Sequence, residues 1–359
     1  MKTNMLLFVA LLTAAASSCN KSSYTMNGTP PPTLQVNYKQ TVLVADTLGY
    51  GAAFIDSNLR NAWGIALNPM GIVWISANHA GATTIYDSTG KTLFGPVAIP
   101  SQGSHFGGSP TGIAFNSTTD FIIPSNRKVA KFIFANEDGT ISAWGGGDST
   151  TTVVDRSTTG AVYKGITIAN DGTSNFLFAA NFKGTKIDVF DASFNPVTTK
   201  SFNDPQIPAG FGPFNIASIA GKLFVCYAKL KGPDNMDDQA GPGNGYVDVF
   251  DTNGKLLQRF ISQNQLNSPW GIAQAPAGFG IPFHSIAVGN FGDGKINVYD
   301  STGVYLGQLQ NNGNAIVIPG LWALDFPKNE VPNASPNKLY FTAGPMDENH
   351  GLFGFIEMN

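Results

Sequence analysis

Charge is what this sequence most lacks. Asp, Glu, Lys and Arg make up 13% of its 359 residues, with a formal net charge of -3, about half the usual charged share. Nucleic acid and anionic membrane surfaces both call for concentrated Lys and Arg, so neither is an expected partner. Cysteine is nearly absent, with two residues. One, Cys19, lies in the N-terminal leader; the other, Cys226, sits in the apolar run LFVCYA. That leaves no internal pair to oxidise, and Cys226 reads as a buried, inert thiol. Beyond the leader no run reaches the 18 or so apolar residues that would span a bilayer. Helical periodicity is missing too. So are GxSxG, HExxH, CxxC and GxxxxGK[ST], which removes the nucleophile elbow, zincin, thiol-redox and P-loop chemistries from consideration.

What the chain does contain is repetition. The stretch from Trp63 to Gly90, WGIALNPMGIVWISANHAGATTIYDSTG, opens with a short apolar run. It continues through a β-branched run into Ala77-Asn78, turns on glycine and closes on an aromatic-Asp pair. Its first element recurs as TGIAF, KGITI, FNIAS, WGIAQ and WALDF. Measured at Gly64, Gly112, Gly165, Asn215, Gly271 and Ala323, the copies are 48 to 56 residues apart, a spacing found in propeller arrays. Each copy holds about four short runs of Val, Ile, Phe and Tyr between Gly, Asn and Asp turns. One such four-stranded antiparallel unit cannot bury both of its faces, whereas six placed radially bury one another's. The expected fold is therefore all-β, a six-bladed β-propeller. Glycines opening the innermost strands suit a crowded channel.

The last copy runs out one strand short, and Tyr38 to Asp46, YKQTVLVAD, precedes the first copy without a blade of its own. It is expected to complete the last blade beside Gly351 to Glu357. The domain thus spans residues 37–359. Residues 1–18 read as an export leader, with Lys2, an apolar core from Met5 to Ala16, and small residues ahead of Cys19. This pattern resembles a bacterial lipoprotein signal, which makes Cys19 the lipidation site and residues 19–36 a polar, Pro-rich tether. The expected location is the cell envelope, at the outer membrane, with the membrane touched only through the lipid, and the expected state is a monomer.

The strings GNGYVDVFDTNGKLLQRF from Gly243, LNSPWGIAQAPAGFG from Leu266, VGNFGDGKINVYD from Val288 and LYFTAGPMDENHGLFG from Leu339 carry a resemblance. The chain is similar to a poorly characterised family of secreted bacterial six-bladed propellers, loosely related to NHL-repeat and gluconolactonase-like propellers. Many members end in a Pro-Glu-Pro sorting tail, which is not found here before Asn359. The resemblance implies fold and export, and no particular activity.

In this topology the loops entering the innermost strands and those joining second to third strands share one face. The candidate ligand site is drawn from them: Asn78, Asn136, Asn181, Asn215, Asn290, Tyr163 and Lys164. Four of these Asn residues end second strands, where Asn also serves as turn punctuation by accepting left-handed angles and bonding its own turn. A ring of amide and carboxylate oxygens suits a hard divalent cation such as Ca²⁺. By analogy with gluconolactonase-like propellers the ligands would be Glu137, Asn181, Asn215 and Asn290. A second possible metal set lies in the insert Lys229 to Gly245, with Asp234, Asp237 and Asp238. Lys164 could bind a substrate carboxylate or simply pair with Glu137 or Asp138. Weaker catalytic candidates are Lys164, His79, Glu348 and His350, the last two because streptogramin-lyase-like propellers use His and Glu. Trp63, Trp270 and Trp322 could stack on sugars, although their place in the inner-strand motif favours core packing. The sequence thus leads to a binding or scaffold propeller for a protein, glycan or small molecule. The second reading is a metal-dependent hydrolase or lyase of lactone-like or saccharide-derived substrates.

Overall fold

The computed structural model describes residue 34 and residues 36–327 and 334–359. Six sheets of four antiparallel blade strands surround one axis. In the first blade the innermost strand Ala62–Leu67 is followed outward by Val73–Ala77, Ala82–Tyr86 and Thr92–Ala98. The other innermost strands are Pro110–Phe115, Tyr163–Asn170, Phe211–Ile219, Pro269–Gln274 and Leu321–Asp325. Inner and second strands read as continuous apolar runs because each blade is covered on both faces by its neighbours. All five residues of Val73–Ala77 and of Phe132–Asn136 are buried.

The spacing of blades at the axis is set by glycine. A Cβ at Gly64 would lie 2.5 Å from the Thr111 carbonyl oxygen, one at Gly112 would lie 2.7 Å from the Ile166 nitrogen, and one at Gly271 would lie 2.7 Å from the Trp322 carbonyl oxygen. These neighbours are backbone and cannot step aside, so the ring closes tightly only where the side chain is missing. Asn215 stands at the same position in the fourth blade, where its Nδ2 donates to the Trp270 carbonyl at 2.8 Å.

The closure matches the expectation from sequence. Tyr38–Ala45 pairs antiparallel with Leu352–Met358, from Tyr38 opposite Met358 to Ala45 opposite Leu352. A further two-residue strand, Phe54–Ile55, lies parallel beside it. Tyr38 is fully buried, and its hydroxyl donates to the Phe279 carbonyl at 2.9 Å. This ties the N-terminal strand to the fifth blade as well as the sixth. The leader, its cleavage site and Cys19 lie outside the described residues, as does nearly all of the tether. Leu34, placed in the tether by its surroundings in the sequence, instead packs into the core between the fifth and sixth blades. Cys226 is buried and unpaired, and burial raises its thiol pKa.

Candidate functional site

The two ends of the channel are built differently. At the leading end, where the innermost strands begin, side chains fill the axis. Trp63, Trp270 and Trp322 are almost fully buried. Trp63 and Trp322 lie 3.9 Å apart between ring centroids, and Phe291 stacks on Trp322 at 3.9 Å. These tryptophans are core, offering no face to a ligand. Over them runs a polar network. Lys164, only 1% exposed, reaches across the Trp63 ring at 4.9 Å and puts its ammonium 2.5 Å from Glu137 Oε1 and 3.1 Å from Asp237 Oδ1. Burial would lower the lysine pKa, but the carboxylates of Glu137 and Asp237 outweigh it and hold the group above its usual value.

The network continues through amides. Asn78 Nδ2 donates to Glu137 Oε2 at 2.9 Å, and Asn61 Nδ2 donates to Glu348 Oε2 at 2.7 Å while its Oδ1 accepts from Trp322 Nε1 at 3.0 Å. Asn61 adopts a positive φ of 46° at the turn into the first blade. Burial pushes the Glu348 carboxyl up to about 7, against the opposing pull of Asn61 and Lys164. Loops from the first, second, third, fourth and sixth blades therefore meet here, as the shared-face argument anticipates. The meeting forms a plug.

Other residues singled out from sequence are held apart. Asn181 Nδ2 donates to Asp188, and its Oδ1 accepts from the backbone of Val162 and Gly184. Asn290 Nδ2 donates to the Gln265 carbonyl and to Asp293, and Asn136 Nδ2 to Thr140 Oγ1. The Tyr163 hydroxyl donates to Asp188 at 2.9 Å. No hydrogen-bond partner is shared among Glu137, Asn181, Asn215 and Asn290. The four second-strand asparagines do punctuate turns, but not by left-handed angles: the positive φ falls on Gly81, Gly139, Thr185 and Gly294 beyond them. A β-carbon-free residue takes that angle at no cost in three of the four. His79 is exposed, whereas His350 contacts Asp46 at 2.9 Å and the edge of Tyr50, which pins the closure strand.

The insert Lys229 to Gly245 is folded back by backbone bonds between Lys231 and Asp237 and between Gln239 and Lys229. Its acids diverge. Asp234 accepts from the Met236 backbone, Asp237 meets Lys164, and Asp238 turns a buried oxygen inward, its pKa raised by burial. Among the described residues no group of three or more His, Cys, Asp or Glu is arranged to hold a metal ion.

The trailing end, where the innermost strands finish, holds a cavity of about 380 Å³. All six innermost strands line it; Ile65, Ile113, Ile166, Ile216, Ile272 and Leu324 contribute to the wall, although each is mostly buried in the hydrophobic core. Polar groups interrupt this wall at Thr167, Asn215, Ser218, Gln274 and Asp325. Thr167, Ser218 and Gln274 have no side-chain hydrogen-bond partner among the described residues. Of the ligand residues expected from sequence, only Asn215 belongs to this cavity. The others were missed because they sit at the ends of apolar strand runs, where nothing in spacing or composition marks them.

No protein-family model matches the chain. Two proteins of Acanthamoeba polyphaga mimivirus are similar over most of its length. "Uncharacterized protein L690" is 34% identical over 319 residues, covering 85% of this chain and 82% of the relative. "Uncharacterized protein R648" is 36% identical over 322 residues, covering 85% and 76%. Both relatives are viral, where the sequence resemblance pointed to bacteria. Among solved structures, a streptogramin B lyase superposes with a TM-score of 0.54 at 13% identity, covering 90% of this chain and 97% of that one. At such identity the likeness is one of fold alone.

Proposed function

The chain belongs to one family with these two mimivirus proteins, and we propose that it is a binding propeller that takes a compact small molecule carrying both apolar and hydrogen-bonding groups into the trailing end of its channel. The observation that carries this reading is the cavity of about 380 Å³ with a mixed wall, in which aliphatic side chains alternate with polar groups. Its size falls in the range of small-molecule sites, roughly 300 to 1,000 Å³. The apolar part of the wall supplies affinity through burial, and the hydroxyls of Thr167 and Ser218 with the amide of Gln274 orient a ligand bearing hydrogen-bonding groups.

Binding is favoured over catalysis by the inventory of the wall. Of the lining residues only Asp325 ionises, whereas acid-base or nucleophilic work needs two or more convergent groups. The hydrolase or lyase alternative would have to draw on Glu348 and Lys164, and both are engaged in the plug. Export through the leader, with a lipid on Cys19, would set the cavity in a cell envelope. That part of the proposal rests on the sequence of the first 19 residues, and the mass of the mature N-terminus tests it.

The experiment for the cavity is a thermal-shift screen of small cyclic alcohols, lactones and monosaccharides on the native chain and on Ser218→Phe, which fills the space. A ligand at 100 times its Kd stabilises by about 2.7 kcal/mol. Hits should shift the native protein and leave the filled variant unmoved. Hits that shift both equally would place the site elsewhere.

A further inference from the structure

The third blade has an outer edge unlike the other five. Its fourth strand is only Pro196–Val197, two residues, where the others have Thr92–Ala98, Thr151–Asp155, Leu256–Ser262, Tyr305–Gln308 and Tyr38–Ala45. It covers Val189 and Phe190 of the third strand Lys186–Phe190 and leaves Lys186, Ile187 and Asp188 with no strand on their outer side among the described residues. After Val197 the chain is drawn away. Lys200 binds Asp171 at 2.8 Å and the Asn253 side chain at 2.6 Å, and Phe202 is wedged against Phe178 and Phe250. Held in this way, the departing segment cannot zip onto the free edge. Between the two runs a groove of about 270 Å³, lined by Arg156, Lys186 to Phe190, Pro196 to Thr198, Lys200 and Phe202 among others.

The groove carries three cations, Arg156, Lys186 and Lys200, against one carboxylate, Asp188. Lys186 pairs with Asp188 and Lys200 with Asp171. The Arg156 guanidinium lies within electrostatic reach of Tyr163 and makes no side-chain hydrogen bond or ion pair among the described residues. A strand edge with open backbone groups is a template for an added strand, and charge decides which strand is accepted. We propose that this edge is a docking site for a short extended acidic peptide segment, which adds as the missing outer strand of the third blade. Its backbone bonds the free edge at Lys186 to Asp188, and its carboxylates meet Arg156 and Lys186. This surface lies on the rim of the wheel and does not depend on the channel cavity.

The test uses two peptides, acetyl-Asp-Val-Glu-Val-Asp-Thr-amide and its Lys/Arg counterpart, with binding followed by fluorescence anisotropy. The acidic peptide should bind, the basic one should not, and affinity should fall as salt rises. The charge-reversed double variant R156E/K186E, and K186E alone should the double variant lose the native circular dichroism, should weaken binding at least tenfold. N-methylation at alternate peptide nitrogens should do the same by removing ladder donors, while Ser218→Phe should change nothing. Equal binding of both peptides, undiminished binding after N-methylation, or no binding at 1 mM would each overturn the proposal.

Discussion

The channel has one set of walls and two opposite ends. At the leading end five blades send polar loops inward, and the result is closed: three tryptophans fill the axis and Lys164 sits at 1% exposure among carboxylates. At the trailing end the same strands finish without crossing the axis, and a space of about 380 Å³ stays open. Crowding of loops and chemical richness thus mark the end that is sealed. The difference follows from size and charge. Indole rings and a lysine paired with two carboxylates fill the leading end, whereas the trailing end is left open between the six innermost strands.

Removing the cation is the most damaging way to separate the ends. Lys164→Met leaves Glu137 and Asp237 facing each other over Trp63 without a counter-charge. Breaking one side of a buried ion pair typically costs about 3 to 5 kcal/mol, and because the carboxylates left behind are partly solvated the loss belongs at the lower end, about 3 kcal/mol. Denaturant unfolding should show a loss of that order, while any ligand of the trailing cavity still protects the variant below its melting point. If ligand binding disappears along with the plug, the two ends are one site.

The common wall gives the next largest effect. A Cβ at Gly112 meets backbone of Gly165 and Ile166 within 2.8 Å, so Gly112→Ala forces the second and third blades apart. Overpacking of this kind costs about 1 to 3 kcal/mol. The loss should be visible in urea unfolding, and an unchanged midpoint would show that blade spacing is softer than the glycine ring implies.

Much of this was legible in the sequence. The repeat at Gly64, Gly112, Gly165, Asn215, Gly271 and Ala323 announces the blade number, and its glycines announce close approach, since a Cβ at Gly64, Gly112 or Gly271 would meet the neighbour's backbone. The orphan strand Tyr38 to Asp46 announces the closure, because the sixth copy runs out after three strands. The pairing of Lys164 with Glu137 stood as one of two alternatives at the start of a buried strand. The trailing cavity left no such trace. Thr167, Ser218, Gln274 and Asp325 follow apolar runs in four different blades and look like ordinary strand ends. Whether Trp63, Trp270 and Trp322 point into the axis or into a blade depends on packing that spacing does not encode. The free edge of the third blade also hides, since its cause is where Lys200 and Phe202 find partners.

Protonation sharpens the contrast more gently. The Glu348 carboxyl titrates near 7 in the folded chain against an ordinary value of 4.5. The folded state therefore holds the proton more tightly than the unfolded one. Between these values stability falls as pH rises, and above about 7 the full cost of the buried charge is present. Glu348→Gln keeps an acceptor for Asn61 and removes that charge. It should be nearly neutral at pH 4 and raise stability by about 1 kcal/mol at pH 8, a figure reduced for partial exposure. Melting temperatures of variant and parent across this range read the effect, and the trailing cavity, which Glu348 does not line, should bind its ligand equally in variant and parent at each pH. A variant that is stabilised equally at every pH would show that Glu348 carries no such charge.

The smallest effect is expected at the outermost member of the plug. Asp237 shares Lys164 with Glu137, but its side chain is 68% exposed while that of the lysine is 2%. Water already solvates most of this carboxylate, and the lysine keeps Glu137 at 2.5 Å when Asp237 is neutralised. Asp237→Asn should therefore cost under about 1 kcal/mol, as exposed ion pairs do. The backbone bonds from Lys231 and Gln239 remain to hold the insert in place. Limited proteolysis within Lys229 to Gly245 should quicken only slightly. A loss comparable to that of Lys164→Met would mean that the insert is a structural part of the seal, and the leading end would then owe its closure to a surface loop more than to the tryptophans beneath it.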